Sequence, residues 1–294
     1  MPNVLTNSCK LLYADDVKIY RNITSISDAV SLQNDLSALY DWCISHKLSL
    51  NAQKCSIISF TTRKSLLNFE YHINRTPLKR VETVTDLGVT IKSNMTFNEH
   101  IDRIVSEAYR NLGFITRVSK DFKSTTVFKT LYKTYVRSKL DYASIIWHPQ
   151  TKRTSQQLEM IQSRFLRILI YRETEVYPKF DIYKNLVYNF SLVTLEERRN
   201  QQLLLCLYKI LHNRINVEMS RLDICLHVPD ARTRRRHFLF HLPPIKTKVS
   251  SISPIWRMCD LYNYLLSIDC NLDLFHMPLQ GYKSVVKELC KVQV

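Results

Sequence analysis

The chain has 294 residues, enough to bury one large core or two modest ones. Its apolar content of 45% excludes a disordered chain, and with only 3 glycines it lacks the phosphate-cradling loops G-x-x-x-x-G-K and G-x-G-x-x-G. The net charge is +16, and most of the excess lies after residue 90, where 32 Lys and Arg accompany 18 Asp and Glu. This excess favours a nucleic-acid partner over a membrane, with a basic helical surface that only maintains solubility as the alternative.

The eight cysteines are scattered and form no C-x-x-C pair, so the sequence predicts free thiols and not a zinc module. The first residues show no charged segment followed by an apolar one, and no run of about 18 apolar residues occurs anywhere. We therefore expect an intracellular protein, nuclear or cytoplasmic, that is neither secreted nor bound to a membrane.

Residues 1–92 carry patterns typical of short strands around one helix. The segment "CKLLYADDVKIY", residues 9–20, is typical of a β-hairpin with two acids at or beside its tip. Apolar side chains at positions 29, 32, 36, 39 and 43 follow helical spacing, and Ser25 or Ser27 is the predicted cap of this helix. Residues 55–60, 69–73 and 86–91 are each predicted to form a strand, with a turn over residues 74–77.

From Thr96 onward the apolar period becomes helical. Thr96 with Glu99 and Thr194 with Glu197 are predicted capping boxes, and Ser124 is predicted to begin another helix. Further helices are predicted around residues 158–168, from Pro254 and from Pro278. The best single domain boundary lies between residues 92 and 96, where a mixed α+β part gives way to a mostly helical one.

Asp15 and Asp16 are adjacent carboxylates, which repel each other unless a cation or hydrogen-bond donors neutralise them. Asp is common in turns, so a solvated turn explains the pair. A divalent-metal site of the kind that phosphoryl-transfer enzymes use explains it equally well. The residues by themselves leave both interpretations open.

Three segments in order resemble the later palm motifs of reverse transcriptases: "YADD" at 13–16, "LSLNAQKC" at 48–55 and "TDLGVTI" at 85–91. Downstream, "LYKTYVRSKLDYASIIWHP" at 131–149 is similar to the jockey-type branch of non-LTR retrotransposons. The resemblance implies an α+β fold with an incomplete palm (hairpin, helix and short strands) over 1–93. It further implies a helical thumb over 94–172 and a basic, mostly helical C-terminal region over 173–294.

The resemblance also implies roles for individual residues. Asp15 and Asp16 match catalytic acids that hold Mg²⁺ or Mn²⁺, and Lys54 matches a lysine proposed to protonate the leaving pyrophosphate. Tyr13 and Ala14 match positions that line the approach to the primer end and the incoming nucleotide. Leu87 and Gly88 match the turn of the hairpin that holds the primer. The implied partners are an RNA template, a DNA primer and, if upstream sequence completes the site, a deoxynucleoside triphosphate.

One family feature is missing from the sequence. In the family an earlier Asp, several dozen residues before YADD, bridges both metal ions, whereas the residues before Tyr13 include no Asp or Glu. The fingers region has no counterpart either. We therefore expect a polymerase fragment that is inactive alone, and the sequence does not determine its oligomeric state.

The alternative function is a non-catalytic basic module that binds nucleic acid. The densest basic cluster, "RTRRRHF" at 232–238, contributes the predicted patch Arg232, Arg234, Arg235 and Arg236. A solvated basic loop is an equally simple interpretation of the same run.

Overall fold

The computed structural model describes residues 4–61, 67–122, 124–178, 183–215, 222, 224–228, 238–245 and 248–292. The chain divides into two compact units, Met1–Thr96 and Phe97–Val294. The first contains short strands and one helix, and the second is mostly helical. The predicted mixed α+β architecture is therefore confirmed, whereas the assignment of its parts to a palm and a thumb stays a prediction.

Among its described residues, the first unit contains helix α1 (Ile26–Ser45) and four short two-stranded sheets. Three antiparallel hairpins are formed by β1 (Cys9–Tyr13) with β2 (Asp16–Tyr20), β4 (His72–Ile73) with β5 (Thr76–Pro77), and β7 (Thr83–Asp86) with β8 (Val89–Lys92). The remaining pair, β3 (Ser56–Ile57) with β6 (Lys79–Arg80), is parallel.

The predicted strands of this unit are shorter than expected. The strand predicted over 55–60 is reduced to β3, and the one over 69–73 to β4. The prediction of a single strand over 86–91 is wrong, because Leu87 and Gly88 both have positive φ angles, 44° and 79°, and reverse the chain between β7 and β8. Positive φ at both central residues is the signature of a type I′ hairpin turn.

Helix α1 is the scaffold of the first unit. Its buried Asp35 accepts hydrogen bonds from the backbone N–H groups of Thr6 (3.2 Å) and Asn7 (3.0 Å), just before β1 begins. On another turn, the Gln33 side-chain amide bonds to both the N–H (2.9 Å) and the carbonyl (3.0 Å) of His72 in β4. The helix thereby fixes the entry to the first hairpin and one strand of the second.

Ser25 caps α1, as predicted. Its hydroxyl accepts from the backbone N–H of Asp28, and the Asp28 carboxylate accepts in return from the Ser25 N–H at 3.0 Å. Further hydrogen bonds from Thr24, Ser25 and Arg21 hold the pKa of Asp28 well below its ordinary value. Both partners of this box satisfy N–H groups that a helix start otherwise leaves without acceptors.

The helical unit begins with α2 (Asn98–Val118), α3 (Thr125–Leu131), a π-helical segment (Tyr132–Arg137), α4 (Ser138–Asp141) and α5 (Ser144–Trp147). It continues with α6 (Lys152–Thr174), α7 (Tyr183–Asn189) and α8 (Leu195–Leu211). A short hairpin of β9 (Cys225–Leu226) and β10 (Phe240–His241) precedes α9 (Lys248–Ile252), α10 (Pro254–Ile268) and α11 (Leu279–Val292).

Both capping boxes predicted for this unit are corrected. At the start of α2 the cap residue is Phe97, without a side-chain cap, and the Thr96 hydroxyl donates instead to Asn94 at 2.7 Å. At the start of α8 the Thr194 hydroxyl does accept from the Glu197 N–H at 3.1 Å, as predicted. The Glu197 carboxylate, however, accepts from the Tyr188 hydroxyl and does not close the box.

The helical unit buries apolar side chains from most of its helices. The predicted face of α2 is buried, and Tyr132 of the π-helical segment stacks on Phe165 of α6 with ring centroids 3.9 Å apart. Helix α8 packs against α10 and α11, where Tyr208 donates to the Met277 carbonyl at 2.8 Å. Within the described residues, no helix combines the length and the apolar character needed to span a bilayer.

We expect Ser25→Ala to lower the hydrogen-exchange protection of the α1 amides by about fivefold, because loss of an N-cap costs about 1 kcal/mol of helix stability. Ser37→Ala is the matched control, since Ser37 lies on the exposed face of α1 and its hydroxyl bonds only within that helix. Equal protection in the two variants would contradict a capping role for Ser25.

Candidate functional site

The two adjacent acids lie at the tip of the first hairpin. Tyr13 pairs with Asp16 across the strands, so Ala14 and Asp15 form a two-residue turn between them. Both carboxylates are exposed, and Tyr13 is 63% exposed beside them. The predicted hairpin is therefore confirmed, with Asp15 in the turn and Asp16 as the first residue of β2.

The turn holds Ala14 in an uncommon backbone conformation, with φ at 52°. Positive φ at the first central residue is usual for glycine in a type II′ hairpin turn, and for alanine it costs about 1 kcal/mol or more. The side chain at this position is a single methyl group. The tip thus presents carboxylates without a bulky neighbour in the turn.

One ion pair joins the first hairpin to the third. Lys18 Nζ of β2 lies 2.5 Å from Asp86 Oδ1, the last residue of β7, and both side chains are about one third exposed. Cross-strand partners share a face of a hairpin, so Tyr13, Asp16 and Lys18 lie on the same face. The Leu87–Gly88 turn directly follows Asp86 and is therefore held beside the face that carries Asp16.

Leu87 and Gly88 form the tip of this neighbouring hairpin. Leu87 is 44% exposed although its φ of 44° is unfavourable for a branched side chain. Gly88 has φ at 79°, which glycine adopts without steric cost. Two strained or glycine-dependent turns, at Ala14 and at Leu87–Gly88, thus lie on hairpins that the Lys18–Asp86 pair joins.

Lys54 lies in a separate, exposed turn between α1 and β3. The side-chain oxygen of Asn51 accepts from the N–H groups of Gln53 (3.1 Å) and Lys54 (3.3 Å), so the L-N-x-x-K motif forms an Asx turn. The structure therefore explains the asparagine of the motif by local backbone geometry. The role of Lys54 as a proton donor stays a prediction.

The two acids supply hard oxygen ligands, which Mg²⁺ prefers, but few of them. An octahedral ion takes six ligands, and Asp15 with Asp16 can provide only a minority. Across the part of the chain that the structure describes, no group of three or more His, Cys, Asp or Glu side chains is arranged to hold a metal ion. The hairpin tip therefore suits a single metal ion, bound by both carboxylates and by several water molecules, better than a complete centre with two metal ions.

The predicted basic patch of Arg232, Arg234, Arg235 and Arg236 lies outside the described residues. Within them, the solvent face of α2 carries Arg110, Phe114 and Arg117 at successive helical turns. Phe114 is 53% exposed between the two arginines. The sequence pattern did not indicate this face, because it lies opposite the apolar stripe that identified α2 as a helix.

Lys18 and Asp86 were also missed, although both lie within the quoted motifs. A lysine in one strand and an aspartate almost seventy positions later carry no local signal of contact. Only the tertiary fold brings the two side chains together.

The substitutions Lys18→Met and Asp86→Asn should be made separately and together. We expect the two side chains to show a coupling free energy of about 0.5–1 kcal/mol, and this coupling should weaken in 1 M salt. The measurement is hydrogen exchange of the β2 and β7 amides. The exposed pair Lys291–Glu288, within α11, is the matched control and should show weaker coupling in its own amides. Strictly additive effects at Lys18 and Asp86 would show that the pair does not join the hairpins.

The sequence is similar to the RNA-directed DNA polymerase from mobile element jockey of Drosophila funebris, with 26% identity over 165 residues. The polymerase of the same name from Drosophila melanogaster is 26% identical over 161 residues. Each match covers 53% of this chain and 17% of the relative, so the similarity spans about a sixth of a longer polymerase. No family model matches the chain, and no solved structure matches it either.

Both relatives bear the name of the family that the ordered motifs resemble. The predicted resemblance is therefore confirmed over about half of the chain, which is a distant homologue of the jockey RNA-directed DNA polymerases and resembles a segment of a non-LTR reverse transcriptase.

Proposed function

We propose that this chain contributes to an RNA-directed DNA polymerase as a partial palm, over residues 1–93, and a helical thumb that follows it. The observation that carries the proposal is the Lys18–Asp86 ion pair, because it holds the Leu87–Gly88 turn beside the YADD face. In such an enzyme the first hairpin presents metal ligands, and the neighbouring turn contacts the primer. Gly88 permits close approach of a nucleic-acid backbone, since it has no side chain.

Bound Mg²⁺ would neutralise charge on the transferred phosphate and activate the primer hydroxyl. In our proposal Asp15 and Asp16 would hold that ion at the exposed tip, and Tyr13 and Ala14 would border the reacting ends. Lys54 would act as the proton donor only if the complete enzyme brings its turn to the site. Because two carboxylates leave most ligand positions to other groups, we infer that the chain does not catalyse nucleotide transfer alone.

With an RNA template, a DNA primer, the four deoxynucleoside triphosphates and Mg²⁺ or Mn²⁺, the chain alone should give no primer extension. It should still bind Mn²⁺ weakly, as measured by electron paramagnetic resonance, because two adjacent carboxylates attract a divalent cation. Asp15→Asn combined with Asp16→Asn should abolish this binding.

The matched control is Asp41→Asn, which removes an exposed carboxylate from α1 and should leave Mn²⁺ binding unchanged. Extension by the wild-type chain would disprove the inference of inactivity. Unchanged Mn²⁺ binding in the double variant would remove the hairpin tip from the proposed metal site.

The second candidate function is binding of nucleic acid without catalysis. It is favoured by the solvent face of α2, where Arg110 and Arg117 flank the exposed Phe114. Guanidinium groups neutralise backbone phosphates without selecting a sequence, and an exposed ring can stack on a base or sugar. The same face would serve the thumb of the first proposal.

Arg110→Gln with Arg117→Gln should weaken binding to a short RNA–DNA hybrid and reduce the slope of log K against log salt by about 2, since each lost phosphate contact removes about 0.9. Fluorescence anisotropy at several salt concentrations measures this slope. Lys283→Gln with Lys287→Gln, on the exposed face of α11, removes equal charge as the control. An identical slope in both double variants would exclude α2 as the contact surface.

A further inference from the structure

Helix α6 has a stripe of solvent-facing residues on the side opposite its buried ones, which include Leu158 and Phe165. The stripe follows alternating spacings of four and three residues, which keep side chains on one side of a helix. Its members, the α6 stripe, are Arg153, Gln157, Met160, Arg164, Arg167 and Tyr171. They are exposed or half-buried, and Met160 is 58% exposed. The stripe extends over about 27 Å of helix, at about 1.5 Å per residue.

The α6 stripe carries three arginines and no acid. The two acids of the helix, Glu159 and Glu173, lie one and two positions from members of the stripe, and side chains at these separations do not face each other on a helix. The Glu159 carboxylate accepts hydrogen bonds from the backbone N–H groups of Leu195 (3.1 Å) and Glu196 (2.7 Å), so it is directed at the start of α8. On α6 itself, the stripe therefore carries only positive charge.

An aromatic pair lies at the C-terminal end of the stripe. Glu175 ends α6 with φ at 58°, and its backbone N–H donates to the Tyr171 carbonyl at 2.8 Å, so the chain turns back along the helix. Tyr177 then stacks on Tyr171 with ring centroids 4.4 Å apart, and the Arg167 guanidinium carbon lies 5.7 Å from the Tyr177 centroid. Tyr171 is 43% exposed and Tyr177 is 55% exposed. The pair thus offers ring area to solvent as well as to its own partner.

The α6 stripe adjoins the solvent face of α2. The Arg164 guanidinium carbon lies 5.8 Å from the centroid of the Tyr109 ring, and Tyr109 directly precedes the first arginine of the α2 face. Farther along, Arg172 donates to the carbonyls of Ser119 and Thr116, at 2.9 Å each, and so holds the ends of the two helices together. The arginines of α6 therefore extend the positive charge of the α2 face.

We propose that the α6 stripe, together with Tyr177, binds a single strand of nucleic acid. A polyanion complements three arginines without an acid among them, because each guanidinium group can pair with a backbone phosphate. Met160, Tyr171 and Tyr177 favour a single strand, because unpaired bases expose the ring faces that stack on such side chains, whereas a duplex presents its backbone and groove edges. The inference rests on the proposed binding of nucleic acid and adds a second surface to the α2 face.

A single-stranded DNA and an RNA–DNA hybrid of the same length should be compared by fluorescence anisotropy at several salt concentrations. Arg164→Gln with Arg167→Gln should weaken binding of the single strand and reduce the slope of log K against log salt by about 1.4, since each lost phosphate contact removes about 0.7. Arg153→Gln alone should reduce the slope by about 0.7, and it tests the stripe if the double variant does not fold. Lys283→Gln with Lys287→Gln, exposed on α11, should leave single-strand binding unchanged.

An abasic strand, which keeps the phosphates but lacks the bases, separates stacking from charge. Tyr171→Leu should weaken binding of the normal strand by about fivefold or more, because stacking of a base on an aromatic ring contributes at least this factor. The same variant should bind the abasic strand as wild type does, and Tyr171→Phe, which keeps the ring, should retain binding of the normal strand. The matched control is Tyr264→Leu, which removes a tyrosine that is 47% exposed on α10.

Equal single-strand affinity in wild type and in the Arg164→Gln, Arg167→Gln variant would overturn the proposal. Weakened binding of the hybrid alone in this variant would also overturn it, because α6 would then contact a duplex. A loss in Tyr171→Leu that is as large for the abasic strand as for the normal one would refute stacking on the tyrosine. The α2 surface is judged separately, by hybrid binding in the Arg110→Gln, Arg117→Gln variant.

Discussion

The Lys18–Asp86 ion pair is the contact on which the candidate site depends. Each hairpin of the first unit has only two strands, and an isolated two-stranded hairpin is marginal in water. The hairpins at 9–20 and 83–92 therefore need tertiary contacts to take a defined relative position. The ion pair, with side chains about one third exposed, provides one directly behind the turn of the second hairpin. The pair thus links the hairpin that carries YADD to the hairpin that carries TDLG.

Helix α1 supplies the remaining support through side chains that bind strand backbone. Asp35 and Gln33 accept or donate hydrogen bonds at both hairpins that flank the helix in sequence, and the buried Ala29, Leu39 and Cys43 supply the apolar contact. A hydrogen bond from a side chain to strand backbone is more directional than apolar packing, so it fixes where a short strand begins. The exposed apolar residues of the first hairpin, including Leu11, Leu12 and Tyr13, are left outside this support.

In the helical unit, hydrogen bonds from buried polar side chains again fix the relative positions of helices, which apolar packing alone does not specify. Gln162 of α6 accepts from the Tyr132 hydroxyl at 3.0 Å and donates to the Val193 carbonyl at 2.9 Å, so one side chain links the π-helical segment to the start of α8. Glu159 caps the first N–H groups of that helix.

The sequence by itself determined the order of motifs, the mixed α+β class, the first hairpin, helix α1 with a cap at Ser25 or Ser27, and the buried face of α2. These features follow from local rules, because strand alternation, helical spacing and capping act within a few residues. It did not determine the pairing of Lys18 with Asp86, the loss of the box predicted at Thr96 and Glu99, or the bond from Tyr188 that keeps Glu197 from closing the second box. The pairing of Lys18 with Asp86 and of Glu197 with Tyr188 joins residues that lie apart in the sequence, and the local pattern is the same whichever partner the fold supplies. The tertiary structure alone therefore decided which groups surround the acids at the YADD tip.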